Sequence, residues 1–159
     1  MIFSGAIFGF FYAWVCSTMW GLDTLDPRTA IEAMNTMNGS VRNAVFAPAF
    51  FGTPFVAGFA SWSLWRAGCR SAARWFAASG IVYALFGLLL TMLVNVPMNE
   101  QLALVEVPRS REQAQPIWED YSANWQIWNQ IRTAASGVAL ALGAMGLTRL
   151  GPDSTRLMA

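Results

Sequence analysis

The sequence predicts an all-α protein: an integral membrane four-helix bundle with a short amphipathic helix between helices 1 and 2. Three observations predict it. The 159 residues are 55% hydrophobic and only 12% charged, where a soluble domain carries roughly 25% charged residues. The missing charges leave long uncharged runs at 1–22, 43–65, 75–99 and 133–148. The first three are long enough for a hydrocarbon core that takes about 20 apolar residues. The fourth reaches that length once the aromatic segment Trp118–Ile131 is added. A soluble bundle would alternate polar and apolar helix faces, and these runs do not. The length fits one domain, residues 1–159.

Helix 1 is expected over 2–20. Met1 is followed directly by apolar residues with no basic region before Arg28, so it reads as a retained helix and not as a cleaved signal. Gly5 and Gly9 have the spacing that allows close helix contact. Asp26 followed by Pro27 is an N-cap with proline at the first helical position. Ile31, Met34, Met37 and Val41 then mark an amphipathic helix over 28–41 that lies against the bundle.

Helix 2 is expected over 43–65, bent by Pro48 and Pro54, whose missing N–H groups free backbone carbonyls. Helix 3 is expected over 75–98, smooth until Pro97. A solvated loop over 106–115 leads to helix 4 at 117–148. It opens with a ladder of Trp118, Tyr121, Trp125 and Trp128.

All ten basic residues are Arg, with no Lys and no His. The connection holding Arg66, Arg70 and Arg74 has no acid, and the tail holds Arg149 and Arg156 against Asp153. The segments 21–42 and 95–132 hold eight of the nine acids. The positive-inside rule then puts both termini in the cytoplasm, as for a bacterial inner-membrane protein, with those two segments outside. Cys16 and Cys69 fall near opposite faces, so no disulfide between them is expected. The absence of His removes the commonest metal ligand and general base and the Glu-x-x-His di-iron pattern. Two separated Cys make no zinc site. No metal or other cofactor is expected. A net charge of +1 gives no reason to expect a nucleic-acid partner. The expected partners are the lipid bilayer and a hydrophobic small molecule. Gly5, Gly9, Gly80, Gly87, Gly137 and Gly143 suit tight packing within the bundle or in a homo-oligomer.

Polar groups collect at the outward ends of three helices. Asn95 and Asn99 stand at i and i+4, one face of a helix that continues through Pro97. Trp125, Asn129 and Arg132 stand at i, i+4 and i+7. Asn35, Asn38, Arg42 and Asn43 precede helix 2. A charge at the depth of Arg132 is costly and turns toward a partner or a cavity. Each group has a plainer reading: the asparagines as interhelical hydrogen bonds, the tryptophans as an interfacial belt, Arg132 as a snorkelling side chain. The joint pattern, polar on one side and plain on the other, favours a site.

The blocks Met19–Asp23 (MWGLD), Ala33–Asn38 (AMNTMN), Ser40–Asn43 (SVRN), Phe51–Pro54 (FGTP), Asn95–Asn99 (NVPMN) and Trp125–Arg132 (WQIWNQIR) resemble the anthrone-oxygenase-like family of small four-helix membrane proteins. The resemblance extends over about residues 5–148. Many members have His where this chain has Gln130. The family name rests on fungal enzymes that oxidise an anthrone to an anthraquinone. The resemblance implies an oxygenase for a hydrophobic aromatic or quinone-type small molecule, working without metal or flavin, because a deprotonated anthrone is electron-rich enough to react with O₂ itself. Such a protein needs a flat apolar slot, donors for the enolate oxygen and a base. Trp125, Trp128, Phe51 and Phe55 could line the slot. Arg132 with Asn95, Asn99 or Asn129 could hold the oxyanion, and Asn38, Arg42 and Asn43 complete the substrate wall. Glu100 is the best-placed base, on condition that burial tunes it; Asp23 and Tyr121 are its rivals. Two other classes fit the same residues: a non-enzymatic membrane binding or accessory protein whose polar groups lock the bundle, and a small transporter. The uncharged middles of helices 1, 3 and 4 speak against the transporter.

Overall fold

The structure is a computed structural model, and it describes residues 1–150. The tail positions Asp153 and Arg156, which the orientation argument uses, lie outside the described residues. The described residues form five helices and no strand: α1 Ile2–Asp23, α2 Pro27–Ser40, α3 Phe46–Arg66, α4 Arg70–Ala103 and α5 Arg111–Leu147. Among the described helices, α1 and α4 are long and apolar enough to cross a membrane.

In α1, the stretch Trp14–Thr18 winds with i→i+5 bonding: the N–H of Met19 donates to the carbonyl of Trp14. The predicted cap begins α2. Asp26 accepts the N–H of Arg28 at 3.0 Å, and the Arg28 guanidinium also donates to Asp26. That hydrogen bond holds the Asp26 carboxyl down at about 2. Ala30, Ile31 and Met34 are buried at the helical spacing predicted, and they join Trp118, Tyr121 and Trp125 of α5 in one apolar cluster.

Helix α3 starts three residues later than expected because Asn43 caps it from outside. Its side-chain oxygen accepts the N–H groups of Val45 and Phe46. Pro48 therefore falls in the first turn, where no intrahelical bond is lost, and does not bend the helix by the expected route. Pro54 does lie inside α3. The carbonyl four residues back, that of Phe50, is the one it frees, and the buried Tyr83 hydroxyl of α4 donates to that carbonyl at 2.9 Å. A proline defect in one helix thus becomes a link to the next.

Helix α4 runs past Pro97 to Ala103, five residues beyond the expected end. It is not smooth: Tyr83–Leu89 and Thr91–Asn95 wind with i→i+5 bonding. This winding shifts the bonding pattern before Pro97 arrives, with the N–H of Val96 already reaching back to Thr91.

The expected loop over 106–115 is only partly a loop, since α5 begins at Arg111. Ser110 and Gln113 have the spacing of a capping box, and the Ser110 hydroxyl accepts the Gln113 N–H. This start signal outweighs Pro116, which stays inside the helix.

α4 packs along both α3 and α5, and α1 packs along α5. The turn 67–69, Met1 and the end of α5 gather at one end: a Cβ on Gly143 would stand 2.9 Å from the Met1 sulfur. The opposite end holds α2 and the connection 104–110, tied by Arg28 Nη1 donating to the carbonyl of Arg109. Gly80, Gly87, Gly137 and Gly143 do sit in close contacts. Gly5 and Gly9 do not, as a Cβ at either meets nothing within 4 Å. Large apolar side chains such as Phe55, Phe59, Trp62, Ile81 and Leu93 point out of the structure.

Candidate functional site

The end of the molecule beneath α2 holds a partly open cavity of about 560 Å³. Its walls come from all five helices and the connection before α3. Phe10, Phe11 and Trp14 come from α1, Phe46, Phe50 and Phe51 from α3, Thr91, Val96, Asn99 and Glu100 from α4, and Trp125 and Arg132 from α5, with Asn38, Arg42 and Asn43 beside them. Thr91 and Val96 share this wall although they are five apart, the spacing that i→i+5 winding produces.

Arg132 is the electrostatic centre. Its side chain is only 5% exposed. It donates from Nε to Asn129 Oδ1 at 2.9 Å and from Nη1 to Thr91 Oγ1 at 3.3 Å. Its guanidinium carbon lies 4.4 Å from the ring centre of Phe11 and 5.0 Å from that of Trp125. A guanidinium has five N–H donors, so these two bonds leave the rest available to the cavity. Among the described residues no carboxylate stands within 4 Å of it: the ion pairs there are Arg28–Asp26 and Arg42–Glu100. Aromatic faces and neutral hydrogen bonds keep a buried cation in place without cancelling its charge.

A second polar hub stands beside it. Asn99 Oδ1 accepts from the Tyr121 hydroxyl at 2.8 Å and from Trp125 Nε1 at 2.9 Å, while Asn99 Nδ2 donates to Asn38 Oδ1 at 3.0 Å. This joins α2, α4 and α5 and fixes the Trp125 ring in the cavity wall.

Of the residues singled out from sequence, Asn38, Arg42, Asn43, Asn99, Glu100, Trp125 and Arg132 meet at the cavity. Four do not line it: Asn95, Asn129, Trp128 and Phe55. Asn95 is fully buried with both amide atoms unpartnered, while Thr91 and Val96 on either side of it reach the wall. Asn129 lies behind Arg132 as its hydrogen-bond partner. Trp128 points outward, 37% exposed, as does Phe55, so neither belongs to the slot; Phe10, Phe46 and Phe50 take their place. Asn43 reaches the wall with its amide already committed to capping and to the carbonyl of Ser40.

The burial that Glu100 needs as a base is absent. Its side chain is 60% exposed at the rim and pairs with Arg42 at 3.4 Å. Among the described residues it is nonetheless the only carboxylate on this cavity's wall. Asp23 is occupied elsewhere, accepting from Trp118, Ser122 and Gln126, and Tyr121 faces Asn99 behind the wall. Sequence reasoning missed the α1 contribution of Phe10, Phe11 and Trp14, for which the aromatic run of that helix was the available signal. Gln130 is exposed and does not line the cavity. Among the described residues no three of His, Cys, Asp and Glu come together.

A family model described as anthrone oxygenase matches residues 41–142, which contains the α3, α4 and most of the α5 walls. The blocks Met19–Asp23 and Ala33–Asn38 lie outside the match. No curated protein and no solved structure matches the chain.

Proposed function

The chain belongs to the anthrone oxygenase family, and from that premise we propose that it is a membrane-spanning four-helix protein that oxidises a planar aromatic small molecule with O₂. The exposed apolar side chains of α3 and α4 support the bilayer as its solvent, since soluble monomers rarely present large apolar patches. α1, α3, α4 and α5 are the spans, and α2 lies across their outer ends.

One observation carries the catalytic reading: Arg132, buried between two aromatic rings and with no carboxylate partner among the described residues, faces a cavity of the size and apolar character that small-molecule sites have. A cation held this way stabilises negative charge that develops on a ligand oxygen. For an anthrone-type substrate, loss of a proton from the ring CH₂ gives an enolate whose oxygen Arg132 holds. O₂ adds at that carbon, the resulting hydroperoxide loses water, and the net change is CH₂ + O₂ → C=O + H₂O. Trp125, Phe11 and Phe50 form the flat slot. Glu100, at the rim beside Arg42, is the carboxylate positioned to accept the proton.

The test is aerobic turnover of an anthrone by the purified protein in detergent, following quinone formation with total metal assayed alongside. Arg132→Gln is expected to lower turnover by about 100- to 1000-fold, as removal of an oxyanion donor does, and Glu100→Gln by a smaller factor, because this exposed carboxylate, paired with Arg42, lacks the burial that tunes a general base. Turnover unchanged in Arg132→Gln would overturn the assignment. The Asn99 hub favours a second reading, a binding or accessory protein whose polar groups hold the helices together. In that case the folded wild type shows no turnover, and Asn99→Ala lowers its unfolding temperature.

A further inference from the structure

We infer that the ligand is tailed: a planar, singly anionic head sits in the cavity, and a long hydrocarbon tail leaves sideways between α1 and α3 into the bilayer. This rests on the reading of Arg132 above and extends it.

The observation is a second hollow, also about 560 Å³, along the seam of α1 and α3. It shares Phe10, Trp14, Val41, Asn43 and Phe46 with the cavity, so the two meet at one aromatic partition. Phe10 and Phe46 stand there with ring centres 4.8 Å apart. Beyond the partition, small side chains keep the seam open: Ala6 and Ala13 on α1, two turns apart, and Ala49 on α3. Residues 6 to 18 of α1 extend over roughly 18 Å, room for a decyl chain. Among the described residues, no charged side chain lines this hollow. The charges of the cavity are Arg132, Arg42 and Glu100. The last two are paired with each other, so one positive charge is left for the head. A compact aqueous ligand has no use for the apolar seam; an amphiphile dissolved in the bilayer uses both parts and reaches Arg132 without crossing water.

The probe is a series of 2-alkyl-3-hydroxy-1,4-naphthoquinones, methyl to decyl, which are anions at neutral pH and need no base. Binding is read by quenching of tryptophan fluorescence in detergent. A fully buried methylene gives about a fourfold gain. Against wild type, the decyl homologue is expected to bind at least tenfold tighter than the methyl one. In Ala13→Phe, and independently in Ala6→Phe, that ratio is expected to fall toward one. Micelle partitioning is the same for every protein and cancels in the comparison, and size-exclusion profile and helical circular dichroism verify that the variants are folded. Arg132→Gln is expected to weaken all homologues at least tenfold. A chain-length ratio identical in wild type and both seam variants overturns the tail, while the Arg132 dependence of the methyl homologue still supports the head. Binding by no homologue, or binding indifferent to Arg132→Gln, overturns the head and the tail together.

Discussion

Arg132 shows what one residue can and cannot announce. Its position just before an uncharged run marks it as a charge held at depth, and the rule that such charges turn inward describes what it does. Nothing in its neighbourhood in sequence reveals Phe11 and Thr91, which come from other helices and decide that it is held by rings and neutral groups and not by a carboxylate. Asn95 is the opposite case: its i, i+4 relation to Asn99 reads as a shared face, yet Asn99 lines the cavity while Asn95 is wholly buried off its wall. Glycines divide the same way. A Cβ at Gly87 would stand 2.6 Å from the Tyr83 ring, whose hydroxyl holds the carbonyl of Phe50. Gly87→Ala should therefore destabilise the protein by about 1–3 kcal/mol, the usual cost of overpacking. Gly9→Ala, with open space around it, should be neutral or stabilising, since alanine is the better helix former. Thermal unfolding of both variants in detergent checks the pair, and equal midpoints would contradict the contact.

Helices differ in how plainly they state their ends. α2 is legible because Asp26 and Pro27 form its start and its apolar stripe has helical period. Pro116 looks like a boundary and points to a later start for α5, whereas the Ser110 and Gln113 cap is the stronger local determinant. Pro116 is exposed and inside α5, so it costs stability without filling a hole. Pro116→Ala should raise stability by roughly 1–3 kcal/mol, within the difference of about 3 kcal/mol between proline and alanine in a helix interior. A lower unfolding temperature would mean that the proline performs a shaping role. The i→i+5 stretches of α4 had no sequence signal beyond Pro97 itself. They arise where the helix adjusts its winding to place Tyr83 and Thr91 against its neighbours, a tertiary demand.

At the scale of the molecule, the acid-free turn 67–69, with Arg66, Arg70 and Arg74 on the helix ends that flank it, and the acid-rich segments fall at opposite ends of the structure. Cys69 lies in the short turn between α3 and α4 and is a free, partly exposed thiol. With Cys16→Ser as background, a membrane-impermeant maleimide should label Cys69 in inside-out vesicles and not in intact cells. Labelling in intact cells would reverse the topology. Labelling confined to inside-out vesicles would support the proposed arrangement, in which the cavity and the tied turn at Asp26 face outward and the apolar faces of α3 and α4 lie against lipid.

The sequence by itself determined the all-helical class, the amphipathic α2 with its cap, and the end of the molecule where polar groups gather. These follow from hydropathy, spacing and capping, which act over a few residues and need no partner. The tertiary structure alone decided which polar groups face the cavity, that α1 supplies aromatic walls and that Glu100 stays at the rim. Those outcomes depend on how each helix is rotated and wound against its neighbours. That rotation is set by contacts between residues tens of positions apart, such as Tyr83 with Phe50 and Asn99 with Trp125.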